Sequence, residues 1–204
     1  MASTKEEKAM SNQKSSKIST KTIVGMGLLT AIVIVLQALA ISIRFGVFTI
    51  TLVLAPIIVG AALYGIWAGA WLGFVFGVVV LLTDAGTFLA INVPGTIVTC
   101  ILKGVAAGVV AAIIYKALAK KNQILAVILA GIGAPVANTG IFLLGCLIFF
   151  LDTIKVWAGD TSVGVFMITG FVGLNFVVEL IINLVLSSVI VRILHIAFKG
   201  NLTD

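Results

Sequence analysis

The chain has 204 residues, of which 61% are hydrophobic and only 10% charged, and its mean hydropathy is +1.30. Soluble domains are about 45–50% apolar and about 25% charged, and a globule of this length has too little interior to hide the excess. That excludes a soluble enzyme, a disordered chain and a nucleic-acid binder, despite a net charge of +6. The composition is that of an all-α integral membrane protein.

A helix needs about 20 apolar residues to cross the hydrocarbon layer. Residues 1–21 form a polar, basic tail rich in Ser, Thr and Lys. Residues 22–43 make the first span; this run is too long for a signal-peptide core and reads as an anchor that stays. After a loop at 44–49, the second span covers 50–66, with Pro56 near its start. The third, 67–83, follows so closely that the two must be neighbours. A loop at 84–95 carries Asn92 and Pro94 and leads to the fourth span, 96–118. The fifth, 124–151, is expected to break near Pro135, and the sixth covers 165–193. Residues 22–198 are thus a single six-helix transmembrane domain, with a short tail at 199–204.

Lys and Arg accumulate in loops that stay in the cytoplasm. With the N-terminus inside, Lys5, Lys8, Lys14, Lys17, Lys21, Lys116, Lys120, Lys121, Arg192 and Lys199 are all cytoplasmic, and the outer loops hold Arg44 and Lys155. That distribution predicts an N-in, C-in topology, and an odd number of spans would put one basic end outside.

Polar groups at bilayer depth are costly and face a partner or a cavity. Lys103 lies about two turns into the fourth span, where it either snorkels to the outer interface or meets a ligand's anionic group. Asn175, Glu179 and Asn183 recur at i, i+4, i+8, one stripe of the sixth helix. The stripe is either a hydrogen-bonded packing seam or a binding wall, and a carboxylate such as Glu179 is costlier to bury than an amide. Asn138 and Thr139 follow Pro135 in GAPVANTG. A proline kink flanked by small residues suits a cavity wall or tight packing. Asn92 either closes such a cavity from outside or starts the turn at Pro94. Gly69, Gly73 and Gly77 on the third span, and Gly104 and Gly108 on the fourth, form ladders that let helices approach closely. Gly27 and Ala31 form a similar pair on the first span, which carries few polar residues apart from Gln37 and so has a face for docking to another membrane protein.

Cys100 and Cys146 both lie in apolar stretches and read as core residues, not a disulfide framework. The single histidine, His195, excludes a His-based metal cluster. There is no GxxxxGK[ST] sequence to bind ATP, and Ser187 and Ser188 have no base nearby in sequence. Nothing here points to an enzyme.

Several stretches carry a family resemblance. APIIVGAALYGIWAGAWLGFVFG (55–77), ILKGVAAGVVAAIIYKAL (101–118), APVANTGIFLLGCLIFF (134–150) and NFVVELIINLVLSSVIV (175–191) are similar to the second to sixth helices of the substrate-binding S components of energy-coupling factor (ECF) vitamin transporters. The resemblance implies a protein that captures a small water-soluble vitamin outside a bacterial or archaeal cell membrane. It would dock on a transmembrane coupling subunit, topple and release its ligand inside. The ATP would be used by two cytoplasmic ATPase partners, with no cofactor in this chain. Family members dock through a small-residue motif on the first helix, matched here by Gly27 and Ala31, with glycine in place of the usual first alanine. They hold the vitamin between the outer halves of helices four to six. The positions that match are Lys103, Asn138, Thr139, Asn175 and the deeper Glu179, with Arg44 and Asn92 in the covering loops. The fifth and sixth helices most resemble the pantothenate-type branch. An anionic, amide-bearing ligand suits Lys103 among asparagines, and the scarcity of Trp and Tyr argues against a large ring system such as riboflavin. Hydroxymethylpyrimidine is the alternative substrate. A stand-alone secondary transporter or channel, and a non-transport scaffold, are the alternative functions.

Overall fold

The structure is a computed structural model that describes residues 19–40, 44–45, 48–49 and 52–200. Side chains at 44–45, 48–49, 174–175 and 199–200 lie outside the described set, as do the lysines at 5, 8, 14 and 17.

In chain order the elements begin with α1 (Thr20–Ala40) and a minimal antiparallel pair, β1 (Arg44–Phe45) and β2 (Phe48–Thr49). Next come α2 (Leu54–Tyr64), α3 (Ile66–Thr83), the short α4 (Gly86–Leu89), α5 (Val93–Leu118) and α6 (Gln123–Phe149). The last third holds α7 (Leu151–Ala158), α8 (Val163–Phe166), a π-helical stretch (Met167–Val172) and α9 (Gly173–Gly200). Among the described residues, five helices are long and apolar enough to cross a membrane: α1, α3, α5, α6 and the part of α9 from Phe176 to Phe198. Large apolar side chains such as Val24, Trp67, Leu82, Ile148 and Val185 are exposed, which is the surface a bilayer solvates.

The second expected span is a helix of 11 residues. At 1.5 Å per residue it covers roughly 16 Å, about half the hydrocarbon thickness. A single residue, Gly65 at φ 86°, turns the chain from α2 into α3; that left-handed conformation is one that glycine adopts without steric cost. The two helices are neighbours, as the short connection required.

The glycine ladders are the main packing device. A Cβ built on Gly69, Gly73 or Gly77 of α3 would strike the backbone of Gly108, Gly104 or Cys100 of α5, respectively. Three levels of backbone contact therefore fix the register between α3 and α5. Around them the core is aliphatic and alanine-rich, including Leu54, Ile57, Leu72, Phe76, Ala107, Ala111, Ala130 and Ala134.

Two helix interruptions differ from the sequence expectation. α6 runs unbroken through Pro135. The proline removes the amide that would serve the carbonyl of Gly131, but neighbouring bonds hold the helix together. The final span, expected to be continuous, is the one that breaks. Its π-helical turns end at Gly173, φ 25°, before α9 begins. Gly173, without a Cβ, takes the positive φ at that junction without steric cost.

Candidate functional site

α5 supplies one wall of a cavity of about 60 Å³. Its start is fixed by Asn92, whose Oδ1 accepts from the Gly95 amide at 2.9 Å, with Pro94 in the first turn. From that cap, Thr96, Thr99, Cys100 and Lys103 fall at i, i+3, i+4, i+7 and share one face, and all four line the cavity. The ladder contact between Cys100 and Gly77 brings this face against the end of α3. Val80, Asp84 and Ala85 complete that side. α6 contributes Phe142, and Phe150 follows at its C-terminal end.

The roof is aromatic. Phe88, carried on α4, meets Phe142, Phe150, Trp157 and Phe171 edge-on, at centroid distances of 5.6, 5.0, 6.0 and 6.3 Å. Such edge-to-face pairs set positive ring edges against negative ring faces. Trp157 belongs to α7, an amphipathic helix that buries Ile154 and Ala158 and exposes Val156. Two loop helices and the broken part of the last span thus converge on one phenylalanine.

Lys103 is half-buried. Its Nζ lies 5.5 Å from the centre of the Phe142 ring and 5.9 Å from that of Phe76. The ring faces attract the ammonium and partly replace lost water. Asp84 lines the same cavity, so its wall holds one acidic and one basic residue. The described space admits a few water-sized groups. Anything larger than that would need the roof to move.

The other expected site residues fall in three places. Asn92 is a helix cap; its Nδ2 also reaches the Phe149 carbonyl at 3.5 Å, tying the start of α5 to the end of α6. Asn138 is buried one turn below Phe142 on α6, and its Oδ1 has no hydrogen-bond partner. Thr139 is half-buried beside it. Glu179 and Asn183 are buried on α9 together with Ser187. Within this stripe the Asn183 amide donates to the Glu179 backbone carbonyl at 2.9 Å, and the Ser187 hydroxyl donates to the Asn183 carbonyl at 2.8 Å. The bonds stay within the helix, and Ser187 lies against Gly131 of α6. None of Asn92, Asn138, Thr139 or Glu179 lines the described cavity. The side chains of Arg44 and Asn175 lie outside the described residues.

Asp84, Phe88, Thr99, Cys100, Phe142 and Phe150 line the cavity without having been singled out from sequence. The face from Thr96 to Lys103 was readable by helical spacing. The rings were not, because they come from separate elements. Gly27 and Ala31 are exposed on α1, and a Cβ built at Gly27 meets nothing within 4 Å.

The sequence model of the family described as ECF transporter, substrate-specific component, matches residues 21–194. No curated protein and no solved structure matches the chain.

Proposed function

The chain belongs to the family of ECF transporter substrate-specific components, and on that premise we propose that it captures a small anionic vitamin, pantothenate being the best candidate. The observation that carries this reading is Lys103, a cation held in a cavity wall at membrane depth by two phenylalanine faces. A carboxylate entering there exchanges weak ring contacts for a charge-assisted hydrogen bond. The phenylalanines offer a body of modest size an apolar surface.

The remainder of the proposal follows from the family. The basic ends lie in the cytoplasm, and α2 belongs to a sixth crossing of the cell membrane. Gly27 and Ala31 dock on a transmembrane coupling subunit, which is supported by their exposure and by the open space over Gly27. Two cytoplasmic ATPases supply the energy. Asn138, Thr139, Asn175, Glu179 and Arg44 extend the site once the roof has opened, while Asn92 acts through the helix start it caps.

The test is native mass spectrometry of the chain, purified alone in detergent from cells grown in rich medium. A co-purified mass equal to that of pantothenate is the expected outcome. An empty protein that also binds no member of a vitamin panel would sink the proposal and favour a scaffold. The aromatic roof supports one second reading: the edge-on rings around Phe88 would also stack a planar heterocycle, and hydroxymethylpyrimidine would then be the mass recovered.

A further inference from the structure

We propose that the hydroxyl of Thr99 is a ligand-binding group that selects a vitamin carrying an uncharged hydrogen-bonding group, an amide or a hydroxyl, beside its anionic head. The inference rests on the cavity being the vitamin site, and it adds a residue and a chemical requirement to that reading.

Hydroxyls in helices ordinarily turn back to the carbonyl one turn earlier. Among the described residues, Ser188 donates to the Val185 carbonyl at 2.9 Å, and four more hydroxyls do likewise. Thr83 donates to the Val79 carbonyl at 2.8 Å, Thr96 to Asn92 at 2.7 Å, Thr169 to Val165 at 2.8 Å and Ser187 to Asn183 at 2.8 Å. Thr99 does not. Its residue is only 4% exposed, and its Oγ1 has no hydrogen-bond partner. An unsatisfied buried hydroxyl is destabilising, so a folded chain gains nothing from it without a ligand or an ordered water.

The side chain is held in this state by its surroundings. A Cβ built at Gly145 of α6 would land on Thr99 Oγ1 and Cγ2. Glycine at 145 therefore makes the slot in which the threonine sits. Thr99 also stands one helical turn before Lys103, on the same face and in the same cavity wall. Four residues at 1.5 Å separate the two levels by roughly 6 Å along the axis. The two groups can therefore meet a carboxylate and a neutral polar group of one ligand. A simple carboxylic acid satisfies Lys103 but leaves Thr99 unsatisfied, which is how an unpaired buried group discriminates between ligands.

The test compares Thr99→Val with Thr99→Ser in the full-length chain, reading both thermal melting without ligand and calorimetric binding of pantothenate and hydroxymethylpyrimidine. Valine keeps the shape and removes the hydroxyl. It is expected to bind the vitamin about tenfold more weakly while melting at the same or a higher temperature. Serine keeps the hydroxyl and removes only the Cγ2 methyl, one of the side-chain atoms packed against Gly145. It is expected to melt lower and to bind within about threefold of the unmodified chain. That crossed pattern is one a purely structural threonine does not produce. A lower melting temperature for Thr99→Val shows that the hydroxyl has a structural partner and overturns the proposal. So does unchanged vitamin affinity in Thr99→Val. Should the unmodified chain bind neither probe, the pantothenate reading falls by itself. The melting comparison then still decides whether the Thr99 hydroxyl is vacant.

Discussion

The ammonium of Lys103 lies 5.5 Å from the centre of the Phe142 ring, so the cation at the candidate site leans on a side chain of the adjacent helix. Neither residue is fully withdrawn from the cavity they share. The contact explains how a lysine can sit in an apolar span without a carboxylate of its own helix beside it. A ring face is a weaker partner for an ammonium than a carboxylate is.

Replacing that charge should reduce binding and leave the fold intact. Lys103→Gln is expected to weaken pantothenate binding by about 10–100-fold, the range for a lost hydrogen bond to a charged group. Lys103→Arg should retain part of the affinity. Isothermal titration in detergent reads both, and equal affinity in Lys103→Gln and the unmodified chain would remove Lys103 from the site.

Phe88 holds the roof together, so Phe88→Ala should loosen it. The half-buried ring makes several edge-on contacts, and its loss is expected to cost about 2 kcal/mol of stability. Trp157, 6.0 Å from Phe88, reports the change as a shift in fluorescence emission. Faster vitamin release should accompany it. A variant with unchanged melting and emission would show that the roof does not depend on this residue.

The two kinds of small-residue pair predict opposite outcomes. Gly73→Ala places a methyl group on the backbone of Gly104 and is expected to destabilise the chain by about 2 kcal/mol or more, because backbone cannot step aside as a side chain can. Gly27→Ala meets open space and should melt like the unmodified protein. A bulkier change, Gly27→Leu, should spare vitamin binding and abolish co-purification with a coupling subunit. Retained co-purification would move the docking surface elsewhere.

Asn92→Ala tests whether that residue acts as a cap. Loss of the bond to the Gly95 amide is expected to cost about 1 kcal/mol, and Asn92→Ser should restore most of it. If the alanine variant melts normally yet loses binding by more than tenfold, Asn92 contacts the vitamin directly.

How far the sequence carried the reading can be seen element by element. Expected span 67–83 and observed α3 (Ile66–Thr83) nearly coincide, because Gly65 and Asp84 bound an unbroken apolar run. α5 starts at Val93, earlier than expected, since Asn92 and Pro94 read as loop residues until the cap geometry shows them opening a helix. Pro135 drew attention to the wrong helix: one missing amide bond is easily absorbed in a helix of 27 residues. Gly173, which ends the π-helical stretch, lay in a long apolar run where a glycine alone does not signal a break. At the site, Lys103 stood out because a charge in an apolar span is conspicuous. Phe88, Phe142 and Phe171 did not, because phenylalanine is unremarkable anywhere in such a chain, and only tertiary packing brings the three together.

The α3–α5 contact also sets which parts of the molecule are free to rearrange. Two helices whose backbones touch at three successive levels cannot slide or rotate past each other without collision, so they act as the stator of the assembly. Lys103, Thr99 and Asp84 are mounted on it or at its edge. On the proposed reading, admission and release are therefore carried by what surrounds that stator: the α4 and α7 roof, and the last span, whose winding changes at Gly173. On that reading the charge at Lys103 stays still while the walls around it move.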